Sequence, residues 1–211
     1  MKAPFKTEYD RIKPLLWTHD FGVHPRVSLV SQIHKVTHPD FQREVLFVWD
    51  EINQLDGSTE AQIRDFVKRY PVEMVSALVL FGDPAGTTRN TTTGDADWAM
   101  LIRDPRLAVY KGFVNKRGSH SAIVDRTDAL NVKFCNALGE IGIVIHPRCE
   151  RLIHDLEVTR YKMGTRDIDH GSDTKGWQMS HWSDALTYQV QQLWPITTHK
   201  TGVVGRGWTQ R

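Results

Sequence analysis

The sequence predicts an α/β fold, and three patterns carry that prediction. Short apolar runs rich in β-branched and aromatic residues open the chain. A nearly unbroken apolar run follows in the middle, and stretches with apolar residues at helical spacing then alternate with further apolar runs. The opening runs, Leu15–Trp17, Val27–Ile33 and Val45–Trp49, are bounded by His-Pro, Gly or charged residues and read as three successive strands. Gly57-Ser58-Thr59-Glu60 is a helix start, with Ile63, Phe66, Val67 and Tyr70 on one face and Pro71 as the stop. Val75 to Phe81 reads as a strand covered on both faces, ending at Gly82-Asp83-Pro84. Beyond it come a short helix at Asp97–Ile102, capped by Asp95 or Gly94, and an edge strand at Leu107–Tyr110. Ser121–Leu138 carries Ile123, Leu130, Phe134 and Leu138 as a helical stripe, and Ile141–Ile145 reads as another buried strand. Two more helices are predicted, at Cys149–Tyr161 and at Ser180–Trp194, the second stopped by Pro195. The polar stretch Lys162–Met179 between them reads as a surface loop or hairpin.

At 211 residues with 40% apolar content, the chain can bury one proper core, so a single domain is expected over residues 1–211, with its core at 15–194 and a tail at 195–211. The formal net charge of +2 excludes a protein held to nucleic acid by an overwhelming positive field, so any DNA-binding face must be local. Cys135 and Cys149 have neither metal-ligand spacing nor the density of a disulfide scaffold, which suits a reducing compartment. The first residues lack the apolar stretch of a signal peptide, and no window has the length of a membrane span, so the expectation is a soluble protein with no membrane partner.

The chemistry concentrates in carboxylates at element ends. Asp20 follows the first strand, Asp83 ends the central one, and Asp184 lies in the first turns of the last helix. In an open α/β sheet, side chains at the carboxyl ends of neighbouring strands converge on one crevice, and a helix laid across that edge delivers the third acid. Two such charges 4 Å apart repel by roughly 4 kcal/mol at an effective dielectric near 20, which a divalent cation removes. Oxygen-only ligands suit Mg²⁺ or Mn²⁺, and a pair of such ions can activate water and stabilise the leaving oxygen in phosphodiester cleavage. Each acid also has a plainer role: Asp20 and Asp83 as turn residues, Asp184 as a partner of the helix dipole.

The segments His19-Asp20-Phe21-Gly22-Val23-His24-Pro25, Phe81-Gly82-Asp83-Pro84-Ala85-Gly86 and His181-Trp182-Ser183-Asp184-Ala185-Leu186 resemble, in order and spacing, the nuclease motifs of the phage large terminase subunit. Trp49-Asp50-Glu51-Ile52, Gly94-Asp95-Ala96-Asp97-Trp98 and Cys149 through Tyr161 add to the resemblance, which spans most of residues 15–194. It implies an RNase H-like fold, with a central mixed β-sheet flanked by helices, and a metal-dependent DNA endonuclease that cuts concatemeric viral DNA during genome packaging. Two ions, Mg²⁺ or Mn²⁺, would be held by Asp20, Asp83 and Asp184, with Glu51 as a fourth carboxylate and His181 assisting from one turn before Asp184. The implied partners are double-stranded DNA, an ATPase motor domain or subunit, the small terminase and the portal, in the cytoplasm of an infected bacterial host. The chain departs from the family in having no G-x-x-x-x-G-K-[ST] segment, so no ATPase domain is expected in it.

Contacts to the DNA backbone are expected from Arg89 and Asn90 beside the Asp83 motif, extended by Lys116, Arg117, Arg126 and Lys162. Trp177, Trp182 and Trp208 are candidates for stacking on bases, Trp182 being better suited to the core. Asp95 and Asp97 read as caps before ligands, and Glu60 as compensation of a helix dipole. The alternatives are an RNase H or junction-resolving nuclease of the same fold, a catalytically silent DNA-binding or assembly module, and a small-molecule phosphohydrolase.

Overall fold

The structure, a computed structural model, describes residues 9–22, 25–38, 41–54, 57–87, 96–114, 121–172 and 178–196. β1 (Leu15–Asp20), β2 (Arg26–His38) and β3 (Phe41–Gln54) form an antiparallel meander. β4 (Leu78–Gly82) pairs in parallel with the other side of β1, and β5 (Gly112–Val114) in parallel with β4. β6 (Ile143–Ile145) adds in parallel to β3, so the strand order is β5-β4-β1-β2-β3-β6. The sheet is thus a three-strand antiparallel meander whose first strand lies at the centre, followed by parallel strands reached through helical crossovers. Here β6 extends the far edge.

Helices cover both faces. α1 (Thr59–Arg69), α2 (Asp97–Arg103) and α3 (Pro105–Ala108) lie on one, and α4 (Ile123–Phe134), α5 (Glu150–Val158) and α6 (His181–Leu193) on the other. Strand alternation sorts the side chains between the two. Leu15 and Trp17 of β1 join Phe66, Trp98 and Leu101, whereas Leu16 joins Leu152, Trp182 and Leu186. Carried forward, the same alternation turns Thr18 toward α6, where its hydroxyl donates to the Ala185 carbonyl at 3.1 Å, and gives Asp20 the same face. In β4 it assigns Val79 and Phe81 to that face as well.

The start of α1 matches the expectation, with the Ser58 hydroxyl accepting from the Ala61 N–H at 3.2 Å. Three elements differ from it. Leu107–Tyr110 is not an edge strand: Asp104 caps α3 through the Arg106 N–H at 2.8 Å, Pro105 opens the helix, and the edge strand lies just beyond as β5. α4 stops at Phe134, leaving Leu138 83% exposed and outside the core stripe. β6 is an edge strand of three residues, with only Ile143 fully buried, not a strand covered on both faces. Between α5 and α6, the described residues carry isolated pairings of Tyr161 with Ile168 and of Ser172 with Gln178. The expected tail lies outside the described residues, apart from Pro195 and Ile196. Among the described residues no helix is long and apolar enough to cross a membrane.

Candidate active site

The parallel pairing of β1 with β4 sets His19 beside Gly82, and the ladder continues one residue further, with the Asp83 N–H donating to the His19 carbonyl at 3.1 Å. Asp20 and Asp83 therefore leave adjacent strands at the same edge. Asp20 is 8% exposed. Asp83 is half-buried, its Oδ1 accepts from the Ala85 N–H at 2.8 Å, and its carbonyl accepts from Trp98 Nε1 at 2.9 Å. These bonds fix the turn after β4.

α6 supplies the remaining groups. It is tied across the sheet by the Thr18 bond to Ala185, by Trp182 Nε1 donating to Asn53 Oδ1 at 2.8 Å, and by Gln192 Nε2 donating to the Gly82 carbonyl at 3.0 Å. Its first turn is set by Asp155 of α5, a carboxylate 2% exposed that takes the Ser180 N–H at 2.6 Å and the Ser183 N–H at 2.7 Å. A carboxylate from another helix thus does the work of an N-cap, while Ser180 itself sits in the left-handed region at φ 78°. Sequence reasoning missed Asp155. The available signal was an acid three residues after Leu152 and one before Leu156, on the apolar stripe of its helix.

His181 faces the acids, as its spacing from Asp184 predicts. Its Nδ1 lies 2.8 Å from Asp20 Oδ2, and because a carboxylate only accepts, Nδ1 carries the proton. Nε2 lies 3.2 Å from Gln178 Oε1. Burial pulls the imidazole pKa down, but the bond to Asp20 and the charges of Asp20, Asp184 and Asp155 outweigh it and hold the ring above its ordinary value. Burial raises the Asp184 carboxyl above its ordinary value, opposed by Arg126 and reinforced by Asp20. Arg126 of α4 brings Nη2 to 3.6 Å from Asp184 Oδ1 and lays its guanidinium 4.5 Å above the Tyr188 ring. Burial raises the Tyr188 phenol, Arg126 opposes the rise, and the charges of Asp83, Asp20 and Asp184 all add to it. One hydroxyl thus lies in the field of the three acids together.

The other predicted site residues go elsewhere. Glu51 is not gathered with the acids: Oε1 and Oε2 accept from the Arg151 and Leu152 N–H groups at 3.1 and 2.9 Å, capping α5. Asp50 points to the opposite face, where Arg69 and the Tyr70 hydroxyl hold it at 3.1 and 2.9 Å. Asp97 is no cap, since Ala96 holds that position; it is buried against Arg26 at 2.7 Å and the Thr59 hydroxyl. Glu60 pairs with Arg106 at 3.0 Å. Trp182 belongs to the core. Arg126 is buried beside Asp184 instead of lying on an exposed track. Lys162 is exposed in the segment after α5, whereas Arg89, Asn90, Lys116, Arg117, Asp95, Trp177 and Trp208 lie outside the described residues.

The donor set is three carboxylates, the chemistry that a hard divalent cation selects. Among the described residues, however, no three His, Cys, Asp or Glu side chains are drawn together closely enough to hold a metal ion. Asp20 is engaged by the His181 ring and Asp184 by the Arg126 guanidinium.

The strand order and the helices on both faces define an α/β domain in which Asp20 and Asp83 end adjacent parallel strands. Among solved structures, the chain is similar to the nuclease domain of the large terminase from bacteriophage SPP1, crystallised with bound Mn. The two share 16% identity, the match covers 84% of this chain and 85% of that one, and the TM-score is 0.47. No protein-family profile and no curated protein matches the sequence.

Proposed function

We propose that the chain is a metal-dependent DNA endonuclease whose centre is Asp20, Asp83 and Asp184. The observation that carries this reading is the convergence of Asp20 and Asp83, from adjacent parallel strands, with Asp184, from the helix crossing that edge, within the field of a single hydroxyl. In this reading the three carboxylates hold Mg²⁺ or Mn²⁺, two ions at full occupancy, which supply charge neutralisation and water activation in phosphodiester cleavage. The protein's own groups do the rest. Asp83 is fixed by its turn at the end of β4, where its carboxylate would serve as a ligand. His181, with its proton on the nitrogen facing Asp20, orients that carboxylate and is placed to accept or return a proton through Nε2. The substrate is double-stranded DNA, held by its backbone, and the biological setting is cleavage of concatemeric viral DNA in the bacterial host cytoplasm. An ATPase motor domain or subunit, the small terminase and the portal are the partners this role requires.

Plasmid cleavage with Mn²⁺, Mg²⁺ or EDTA tests the reading on the wild-type chain and on Asp83→Asn, which preserves shape and removes one charged ligand. Metal-dependent nicking and linearisation, lost in the variant, is the expected result. A folded wild-type chain that cuts with no metal would overturn it in favour of a silent DNA-binding or assembly module. Cleavage confined to RNA–DNA hybrids or four-way junctions would keep the chemistry and replace the substrate.

A further inference from the structure

Arg126 stands out because it has the burial of a core residue and the charge of a surface one. It is 8% exposed, and among the described residues its contacts to charge and π-density are Asp184 Oδ1 at 3.6 Å from Nη2 and the Tyr188 ring under the guanidinium. Nε and Nη1 are buried with no hydrogen-bond partner among the described residues. A guanidinium taken out of water ordinarily has its donors satisfied and its charge matched by a close, bidentate carboxylate. Arg126 has neither. At 3.6 Å the contact with Asp184 is a charge contact, longer than a hydrogen bond. The acid that faces this buried cation is Asp184, and the aromatic ring beneath it is that of Tyr188.

We propose that Arg126 is a built-in cation of the acidic centre, a positioning residue that holds Asp184 and competes with the incoming divalent ion for it. The inference rests on the metal-site reading above and deepens it. An ion approaching Asp20 and Asp83 meets a third carboxylate already balanced by a fixed positive charge. Binding of the ion is therefore weakened until Asp184 leaves the guanidinium. The design sets a threshold: a centre with its own countercharge keeps its acids folded together at low metal concentration and loads fully only when metal or a polyanionic substrate tips the balance.

The test is calorimetric titration of MnCl₂ into the full chain at fixed pH and ionic strength, for wild type, Arg126→Gln and Arg126→Lys. Arg126→Gln is expected to bind Mn²⁺ about tenfold more tightly, an effect on the order of that exerted by a unit charge on a divalent ion several ångström away near a protein surface. Its melting temperature should fall in EDTA and recover on Mn²⁺ addition by more than the wild type gains. Arg126→Lys, which keeps the charge, should stay within about threefold of wild type. Wild-type binding with equal or weaker binding by a folded Arg126→Gln overturns this inference alone. No Mn²⁺ binding by wild type or either variant overturns the metal-site reading and the inference with it. If Arg126→Gln does not fold, Arg126→Lys decides: retained affinity supports the competing cation, and complete loss of binding means that Arg126 assists the metal and overturns the proposal.

Discussion

Replacing Asp155 by asparagine isolates what holds the last helix in register with the sheet. The carboxylate is buried, takes the Ser180 and Ser183 N–H groups at 2.6 and 2.7 Å, and also accepts from the Thr159 hydroxyl at 3.2 Å. Asparagine keeps one oxygen and turns an NH₂ group toward one of the two backbone donors. A hydrogen bond to a charged acceptor contributes about 1.5–3 kcal/mol, and a negative charge at a helix N-terminus about 0.3–1 kcal/mol. The loss should be about 2–4 kcal/mol. The Ser180 backbone, left-handed at φ 78° in a residue with a Cβ, adds a local cost that Asp155 helps to hold, so the first turn of α6 should loosen before the rest. His181 and Asp184 ride on that turn, and a displacement near 1 Å can cost a catalytic centre about a hundredfold in rate. Urea unfolding followed by circular dichroism reads the first effect, and metal-dependent plasmid nicking reads the second. A stability change under about 0.5 kcal/mol would refute the reasoning, because two short bonds to a buried charge cannot be lost so cheaply.

The raised pKa of His181 predicts a pH dependence. A group whose folded pKa exceeds its unfolded value of 6.5 stabilises the fold fully below 6.5, and that contribution disappears as pH rises through the folded pKa. An NMR titration of the His181 ring should therefore give a midpoint above 6.5 that drops in Asp20→Asn; a midpoint unmoved by that change would break the assigned pairing. Glu51→Gln should leave Mn²⁺ affinity unchanged and destabilise the chain by about 1–3 kcal/mol in urea unfolding, since both carboxylate oxygens are engaged in capping α5. A weakened metal affinity would restore Glu51 to the ligand set. Arg26→Met removes one partner of a buried pair and leaves Asp97 uncompensated, so a loss of about 3–5 kcal/mol in the same assay is expected. A near-neutral result would mean that Asp97 is solvated or protonated.

The legible residues were those whose position in a pattern also fixed their place in space. Asp20 and Asp83 end apolar strands, and strand direction delivers them to one edge. Asp184 and His181 share a helix face through i, i+3 spacing. Glu51 was misplaced because an acid leaving a strand looks the same whether it meets a metal or a helix start a hundred residues away. Arg126 was misplaced for the same reason: a basic residue on a polar helix turn carries no local mark of the acid that buries it. Leu107 and Val109 alternate like a strand, and only the Asp104-Pro105 pair signals the helix that the chain forms instead. Sequence spacing conveys direction and periodicity; long-range pairing of charges it does not.

The motif glycines show how far the centre is a packing problem as well as a charge problem. A Cβ at Gly86 would lie 2.3 Å from the Phe21 ring and 3.0 Å from Trp98, so the turn after Asp83 closes against the residue following Asp20 only because position 86 has no side chain. A Cβ at Gly22 would stand 3.2 Å from His181 Nδ1, the atom that reaches Asp20. Each of the three acidic segments is thus cut to the shape of another. Asp20, Asp83 and Asp184 repel one another and are nonetheless held at one edge, because His181 and Arg126 offset their charge and the glycines let the backbones approach. A cation entering this edge would have to draw the acids closer than they stand, taking Asp20 from the His181 ring and Asp184 from the Arg126 guanidinium.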